Sequence, residues 1–205
     1  MFTGLIREIA KVKRYQNNIL TIESSYRPKI GDSIAINGVC LTVIRLHSES
    51  FDLELADETR DIIDESRLKG RVHMEPAMQL DDRFEGHIVQ GHVDCVGVVR
   101  QIIPRTNATD FIISVDKRYM AYIIPKGSIT IDGVSLTIND LYSDSFRLTI
   151  IPHTLKETLI GGYQVGSRVN IETDLFARYI DHILQYRSRP KSMSWGDIDQ
   201  IQMSY

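Results

Sequence analysis

No stretch of this chain approaches the roughly 18 consecutive apolar residues that a membrane-spanning helix needs. No excess of basic charge is present either. The 24 Lys and Arg stand against 27 Asp and Glu, a formal net charge of −3, which leaves no positive field to gather nucleic acid. The opening residues MFTGLIRE lack the charged n-region and long apolar core of a secretory leader. Cysteine is scarce: Cys40 and Cys95 are the only two, which suits a reducing compartment and disfavours a disulfide. A cytoplasmic location is expected, with neither membrane nor nucleic acid as a partner. The remainder is ordinary for a globular protein of one or two domains: 205 residues, 42% hydrophobic and 25% charged.

One passage occurs twice. Residues 33–43 read SIAINGVCLTV and residues 128–138 read SITIDGVSLTI, with seven of eleven positions identical at an offset of 95. That period is too long for a solenoid unit and suits a duplicated small domain. It predicts two similar ligand cradles built on the repeated passages, with the differences between copies dividing their labour. The expected organisation is an N-terminal domain over 1–85, a C-terminal domain over 86–174, a helix over 175–187 and a flexible tail over 188–205 anchored only by Trp195.

Short apolar runs recur in the same order in both copies. In the first they fall at 19–22, 51–55 and 70–75; in the second at 96–103, 111–115, 146–150 and 166–172. Short strands separated by turn signals predict a small β-barrel in each copy, which leaves no open sheet edge. Asn37-Gly38 and Asp132-Gly133 sit between alternating apolar strands, the pattern of a type I′ hairpin. Beyond the first turn, Val39, Leu41 and Val43 share a core face, while Cys40 and Thr42 share the other. Ser135 and Thr137 replace Cys40 and Thr42 in the second copy. Phe176, Tyr179, Ile180, Ile183 and Leu184 recur with helical spacing behind Asp174, a reasonable N-cap. Their stripe needs a partner, either a barrel or another subunit.

The segment GHIVQGHVDC at 86–95 holds two histidines five apart. An unbroken strand would point them to opposite faces, so a metal centre of His87, His92, Asp94 and Cys95 is not expected. The plain alternative is one structural and one exposed histidine at a domain junction. Aligning Gly91 with Gly4 puts His92 opposite Leu5, so an ionisable group stands in one copy alone. Cys40 is open to three readings: nucleophile, binding group or small buried residue. Thr59 matches Thr154, Glu58 faces His153, Glu172 matches Glu75, and Asp174 stands opposite Ala77. Lys126 either binds a ligand or starts a strand; Gly127 behind it leaves the backbone accessible.

Together, MFTG (1–4), NGVCLTV (37–43), GHIVQGHVD (86–94), KGSITIDGVSLT (126–137), IPHTL (151–155) and NIETD (170–174) resemble riboflavin synthase of the α-chain type, over about residues 1–187. The resemblance implies an all-β fold of two homologous six-stranded Greek-key β-barrels with a C-terminal α-helix. It implies a homotrimer held partly by those helices, with the active site between the N-barrel of one subunit and the C-barrel of its neighbour. It also implies a reaction: two molecules of 6,7-dimethyl-8-ribityllumazine exchange a four-carbon unit to give riboflavin and 5-amino-6-ribitylaminopyrimidinedione, without metal or redox cofactor.

Carried onto matching positions, the resemblance lines an N-barrel pocket with Ser33, Cys40, Thr42, Thr59, His92 and Val93. It lines a C-barrel pocket with Lys126, Ser135, Thr137, Thr154 and Asp174. Gly4, Ala56, Glu58 and His153 join them as substrate-binding positions, and Phe2 closes over the site. The implied catalytic set is His92, Cys40, Ser33 and Asp174. His92 moves protons to and from the acidic C7 methyl of the substrate. Cys40 or Ser33 assists addition or activates water, and Asp174 orients or deprotonates a partner. Two homologous pockets supply a dismutation with two copies of one substrate, held by proximity. Positions shared by the copies then bind what the substrates have in common, and Leu5/His92, Cys40/Ser135 and Ala77/Asp174 create the asymmetry.

The chain departs from the family pattern at Glu85, where a second glycine is usual, and at Arg60, where leucine is expected; residues 61–66 also differ, which bears on the N-barrel rim. A non-catalytic lumazine-binding antenna protein of the same fold is the main rival, and a generic two-barrel interaction module the second. Retention of Cys40, His92, Ser135 and Asp174 together favours the enzyme.

Overall fold

The computed structural model describes residues 1–188. The first repeat contains β1 (Glu8–Gln16), β2 (Ile19–Glu23), β3 (Ser33–Ile36), β4 (Val39–Leu46), β5 (Ser50–Glu54), α1 (Asp57–Ile62) and β6 (Arg71–Pro76). The second contains β7 (Cys95–Pro104), β8 (Thr109–Ser114), β9 (Ser128–Ile131), β10 (Val134–Leu141), β11 (Ser145–Ile150), α2 (Pro152–Glu157) and β12 (Arg168–Thr173). A helix, α3 (Leu175–Ser188), follows. Each repeat closes into an antiparallel barrel, in the order β1-β2-β5-β4-β3-β6 and again β7-β8-β11-β10-β9-β12. In both, three strands joined by hairpins lie beside an earlier strand, which is a Greek key. The tail expected beyond α3, with Trp195, lies outside the described residues.

Period-two alternation explains the cores. Val39, Leu41 and Val43 are 2%, 2% and 0% exposed inside the first barrel, while Cys40 is half-buried and Thr42 exposed on the outer face. Each fully buried aliphatic side chain contributes about 1.5–3 kcal/mol. Small barrels must also bend their strands. The register of β4 shifts between Val43 and Arg45 and that of β10 between Ile138 and Asp140, so the same bulge serves the same corner in each copy.

Asn37 and Gly38 have φ of 46° and 80°, Asp132 and Gly133 of 48° and 82°, as a type I′ turn requires. The turns do not line a ligand cradle, however. They pack tip to tip at the junction between barrels. A Cβ on Gly38 would stand 2.7 Å from the Gly133 nitrogen, so only glycine allows the two backbones this close. Around that contact the hydrogen bonds are reciprocal. Asn170 Nδ2 donates to the Asn37 carbonyl at 2.9 Å, and His73 Nδ1 lies 2.9 Å from the Asp132 carbonyl. Within each barrel the turn side chain accepts a backbone N–H, Asn37 Oδ1 from His73 and Asp132 Oδ1 from Asn170. The junction is thus a pseudo-two-fold axis. Arg67 adds a partly buried ion pair across it, its Nη1 lying 2.8 Å from both Asp132 carboxylate oxygens, and the Tyr163 hydroxyl donates to the same carboxylate.

The apolar stripe of α3 is not covered by its own barrels. Phe176, Tyr179, Ile180 and Ile183 are 50–59% exposed, while Ala177 and Arg178 face inward. Asp174 caps the helix by accepting the Phe176 N–H at 2.8 Å.

His73 carries a testable consequence. Its Nε2 accepts the Leu159 N–H at 2.7 Å, which leaves Nδ1 as the donor to Asp132 and fixes a neutral tautomer. Burial holds the imidazole below its ordinary pKa, with Asp132 pulling the other way. On acidification the unfolded chain therefore takes the proton first, at about pH 6.5. The stabilisation from His73 is complete above that pH and fades below it. His73→Leu, which strands the Leu159 N–H and the Asp132 carbonyl, is expected to cost about 1–3 kcal/mol at neutral pH. In urea titrations that penalty shrinks as the pH falls below about 6.5.

Candidate active site

Two short segments cross the groove between the barrels, one near residues 2–5 and one near 89–93. They pair with each other where Phe2 and Val89 exchange backbone hydrogen bonds of 2.8 and 3.1 Å. Each then lies against a repeated strand. The Gly4 carbonyl accepts the Ser135 N–H of β10, and the Gly91 carbonyl accepts the Cys40 N–H of β4, both at 2.8 Å. A Cβ on either glycine would come within 2.6 Å of the facing Cβ, and both have φ near +80°. Glycine is required there twice.

The matched pair Glu75 and Glu172 has a structural explanation in these straps. Glu75 accepts the backbone N–H groups of Thr3 and Gly4 at 2.7 and 3.0 Å. Glu172 accepts those of Gln90, Gly91 and His92 at 2.8, 2.9 and 3.1 Å. Burial pushes the Glu172 carboxyl up to about 7 even against these donors and Arg178. Burial likewise raises Glu75.

The second strap delivers the rim of the N-barrel cleft, and the first lies against Ser135, which lines the C-barrel cleft. The N-barrel cleft, about 410 Å³, brings together Cys40, Glu58, Thr59, His92 and Val93 with Asp94 and Arg178. That volume suits a heterocycle with a polyol arm. Glu58 and Thr59 come from α1, which forms despite the departures there. Arg60 holds it to Glu65 at 3.2 Å, and the Tyr15 hydroxyl donates to the same Glu65 at 2.6 Å. Burial raises the Cys40 thiol above its usual pKa, with a hydrogen bond from Ser33 lowering it in part. Cys40 is therefore a neutral thiol at pH 7 and serves as a weak donor rather than a thiolate. Thr42 and Ala56 line an adjoining shallow cleft with Asn18. Ser33 pairs with Thr42 across the hairpin.

The C-barrel cleft, about 340 Å³, gathers Ser135, Thr137 and Thr154 with Ser128 and Gly86. The sequence reading passed over one residue here. His87 is 9% exposed, and its Nδ1 lies 2.7 Å from the Ser135 hydroxyl. Burial lowers its pKa, with the Asp174 charge opposing, so a neutral imidazole meets the hydroxyl and can take or return its proton. The duplication could not reveal His87, because its counterpart would fall before residue 1. The signal available was the first histidine of GHIVQGH, read only as a metal ligand or a structural residue.

Other expected residues sit elsewhere. Phe2 does not close over either cleft; it is fully buried, packed with Ala35 and Val89 behind Cys40. Asp174 caps α3 and acts on His87 through its charge. His153 is exposed on α2. Lys126 is exposed, with φ of +66°. Its counterpart Gly31 has φ of +91°, and each donates its N–H to the matching strand, at Ile138 and Val43, at 2.8 Å. His87 and His92 serve different clefts, and among the described residues no three His, Cys, Asp or Glu side chains gather as a metal site. Cys40 and Cys95 are both free. No described helix is long and apolar enough to cross a membrane.

The chain is similar to known proteins. The lumazine binding domain matches residues 3–77 and again 90–174. The riboflavin synthase of Actinobacillus pleuropneumoniae is 42% identical over 203 residues, covering 94% of each chain. That of Bacillus subtilis (strain 168) is 37% identical over 201 residues, again covering 94% of each. Among solved structures, LumP complexed with 6,7-dimethyl-8-(1'-D-ribityl) lumazine superposes with a TM-score of 0.72 at 20% identity, over 84% of this chain and 99% of that one; it shows the fold alone. Two barrels from one duplicated sequence, each with a polar cleft, and relatives matched along nearly their whole length, place the chain in the lumazine-binding family, among the riboflavin synthases.

Proposed function

We infer that this chain catalyses the dismutation of two 6,7-dimethyl-8-ribityllumazine molecules into riboflavin and 5-amino-6-ribitylaminopyrimidinedione. One observation carries the reading: two clefts of like construction differ at the positions where a donor and an acceptor of carbon must be treated differently. Identities of 37–42% to riboflavin synthases, against 20–21% to LumP, favour the enzyme over an antenna protein. The two products contain together all the atoms of two substrates, so no oxidant or cofactor is consumed. The reaction is a group transfer, and the catalyst is a transferase.

Roles follow from chemistry. His92, at the N-barrel cleft, is the group suited to moving a proton from the C7 methyl of one substrate, whose ring delocalises the resulting anion. The neutral Cys40 thiol and the Ser33 and Thr42 hydroxyls hydrogen-bond the ring edge and the ribityl arm. In the C-barrel cleft, the His87–Ser135 pair orients the second substrate and shuttles its proton, with Asp174 supplying charge behind His87. Thr137, Thr154 and His153 bind the polyol.

Lys126 supports that assignment through its backbone. A left-handed conformation costs a non-glycine residue about 1–2 kcal/mol, and the other copy avoids it with Gly31. Strain kept in one copy alone argues that the ammonium is wanted. The exposed face of α3 supports a homotrimer, in which the N-barrel cleft of one subunit meets the C-barrel cleft of the next. Two unpaired thiols support a cytoplasmic setting.

Incubating the purified protein with the lumazine is expected to consume two substrates per riboflavin formed; a stable fluorescent complex without turnover would instead identify an antenna. Light scattering should give three times the chain mass, and Ile180→Asp with Ile183→Asp on α3 should yield monomers without turnover. Lys126→Gly is expected to keep the melting temperature within a few degrees while weakening lumazine binding about tenfold or more, read by fluorescence titration.

A further inference from the structure

The charge behind the two straps is supplied differently in the two repeats. Aligning Gly91 with Gly4 aligns Asp94 with Arg7. In the first repeat the strap therefore carries its own cation, and Arg7 acts on Glu75. In the second the strap carries an anion, and the cation comes from outside the barrel, from α3. Arg178 Nη1 donates to Asp94 Oδ1 at 2.9 Å and Nη2 to Gln90 Oε1 at 3.1 Å. Nη2 also stands 3.7 Å from Glu172 Oε1. Asp94 is held in turn by the Thr173 N–H and hydroxyl, at 2.7 and 2.6 Å.

One guanidinium thus grips the strap on both sides of His92 and faces the carboxylate that binds the His92 N–H. Arg178 sits in the first turn of α3, where its N–H closes on the Asp174 carbonyl, so the cap at Asp174 sets its direction. Its Nε is buried without a hydrogen-bonding partner among the described residues. The geometry is explained by the demands of its two Nη groups.

We propose that Arg178 is the positioning residue for the His92 strap, so that α3 sets the geometry of the N-barrel cleft as well as presenting its outer face to neighbouring subunits. Whatever seats α3 then also seats His92. The inference rests on the reading of that cleft as a lumazine site, and its test keeps the two apart.

The groups facing the Glu172 carboxylate are Arg178 from α3, Asp94 and the N–H groups of Gln90, Gly91 and His92 from the strap, and Cys40 from β4. Removing the cation raises the affinity of Glu172 for a proton, and a protonated Glu172 releases the strap. Arg178→Gln is therefore expected to lower kcat by about 10- to 100-fold, and to move the acid limb of the pH profile toward higher pH. Arg178→Lys, which keeps the charge but loses the fork, should restore the acid limb while recovering kcat only in part. Amide hydrogen exchange at Gln90, Gly91 and His92 in the ligand-free protein should quicken in Arg178→Gln. That readout stands whether or not the wild type turns over lumazine. Unaltered exchange at these amides, or a kcat per correctly assembled oligomer that matches wild type with an unmoved acid limb, would overturn the proposal. Should Arg178→Gln not fold, Asp94→Asn read by the same exchange and kcat measurements decides it: unaltered values overturn the proposal, and quickened exchange with lowered kcat supports it.

Discussion

The molecule is organised by the reciprocal hydrogen bonds at the junction of its two barrels. His73 and Asn170 each reach across to the carbonyl of the other barrel's turn, at 2.9 Å, while Gly38 and Gly133 pack backbone to backbone between them. Every group in that contact is buried, so each depends on its partner for satisfaction. The junction holds the barrels in one relative orientation, and the straps that finish the two clefts are strung across it. Were the barrels free to turn, Gly4 would leave Ser135, Gly91 would leave Cys40, and the N-barrel cleft would lose its rim. The partly buried Arg67–Asp132 pair falls on this axis and ties the first barrel to the turn of the second.

Duplication followed by small divergence explains how the site works. The shared features are structural: a bulge at the same place in β4 and β10, a glycine at each strap, a carboxylate beneath each strap. The unshared features are chemical. An exposed imidazole and a half-buried thiol meet at one cleft, and an imidazole bonded to a hydroxyl meets at the other. A reaction between two identical molecules needs that combination, because one frame must bind the same ligand twice and treat the two occupants differently.

The helix is the third element in this scheme. Its outer face leaves aromatic and aliphatic side chains exposed, while its inner face sends one arginine to the strap that bears His92. An element added after the repeats thereby sends Arg178 to the N-barrel cleft, and it breaks the symmetry that duplication created.

How much of this was legible in the chain depends on the range of the interactions involved. Strand alternation, the type I′ dipeptides and the cap at Asp174 are set by neighbours within a few residues, so Val39, Leu41 and Cys40 could be assigned to faces without coordinates. The copies, compared with each other, also exposed Glu75 and Glu172 as a pair, and the family resemblance named Cys40, Thr59 and His92 at one cleft and Ser135, Thr137 and Thr154 at the other. The comparison was blind where a residue has no counterpart. His87 has none, and Arg178 lies beyond the repeat. It did not show that the tips of the repeated hairpins meet at the barrel junction while their strands line the clefts, nor that Phe2 is fully buried against Ala35 and Val89. Those outcomes turn on contacts between residues roughly 50 to 130 positions apart, such as His87 with Ser135 and Asn37 with Asn170. Two barrels and their periodic faces could be read from the chain, because backbone sterics and hydrophobic alternation act locally. Which polar groups meet was set by the closed barrels, because burial favours paired groups and the fold settles which partner is within reach.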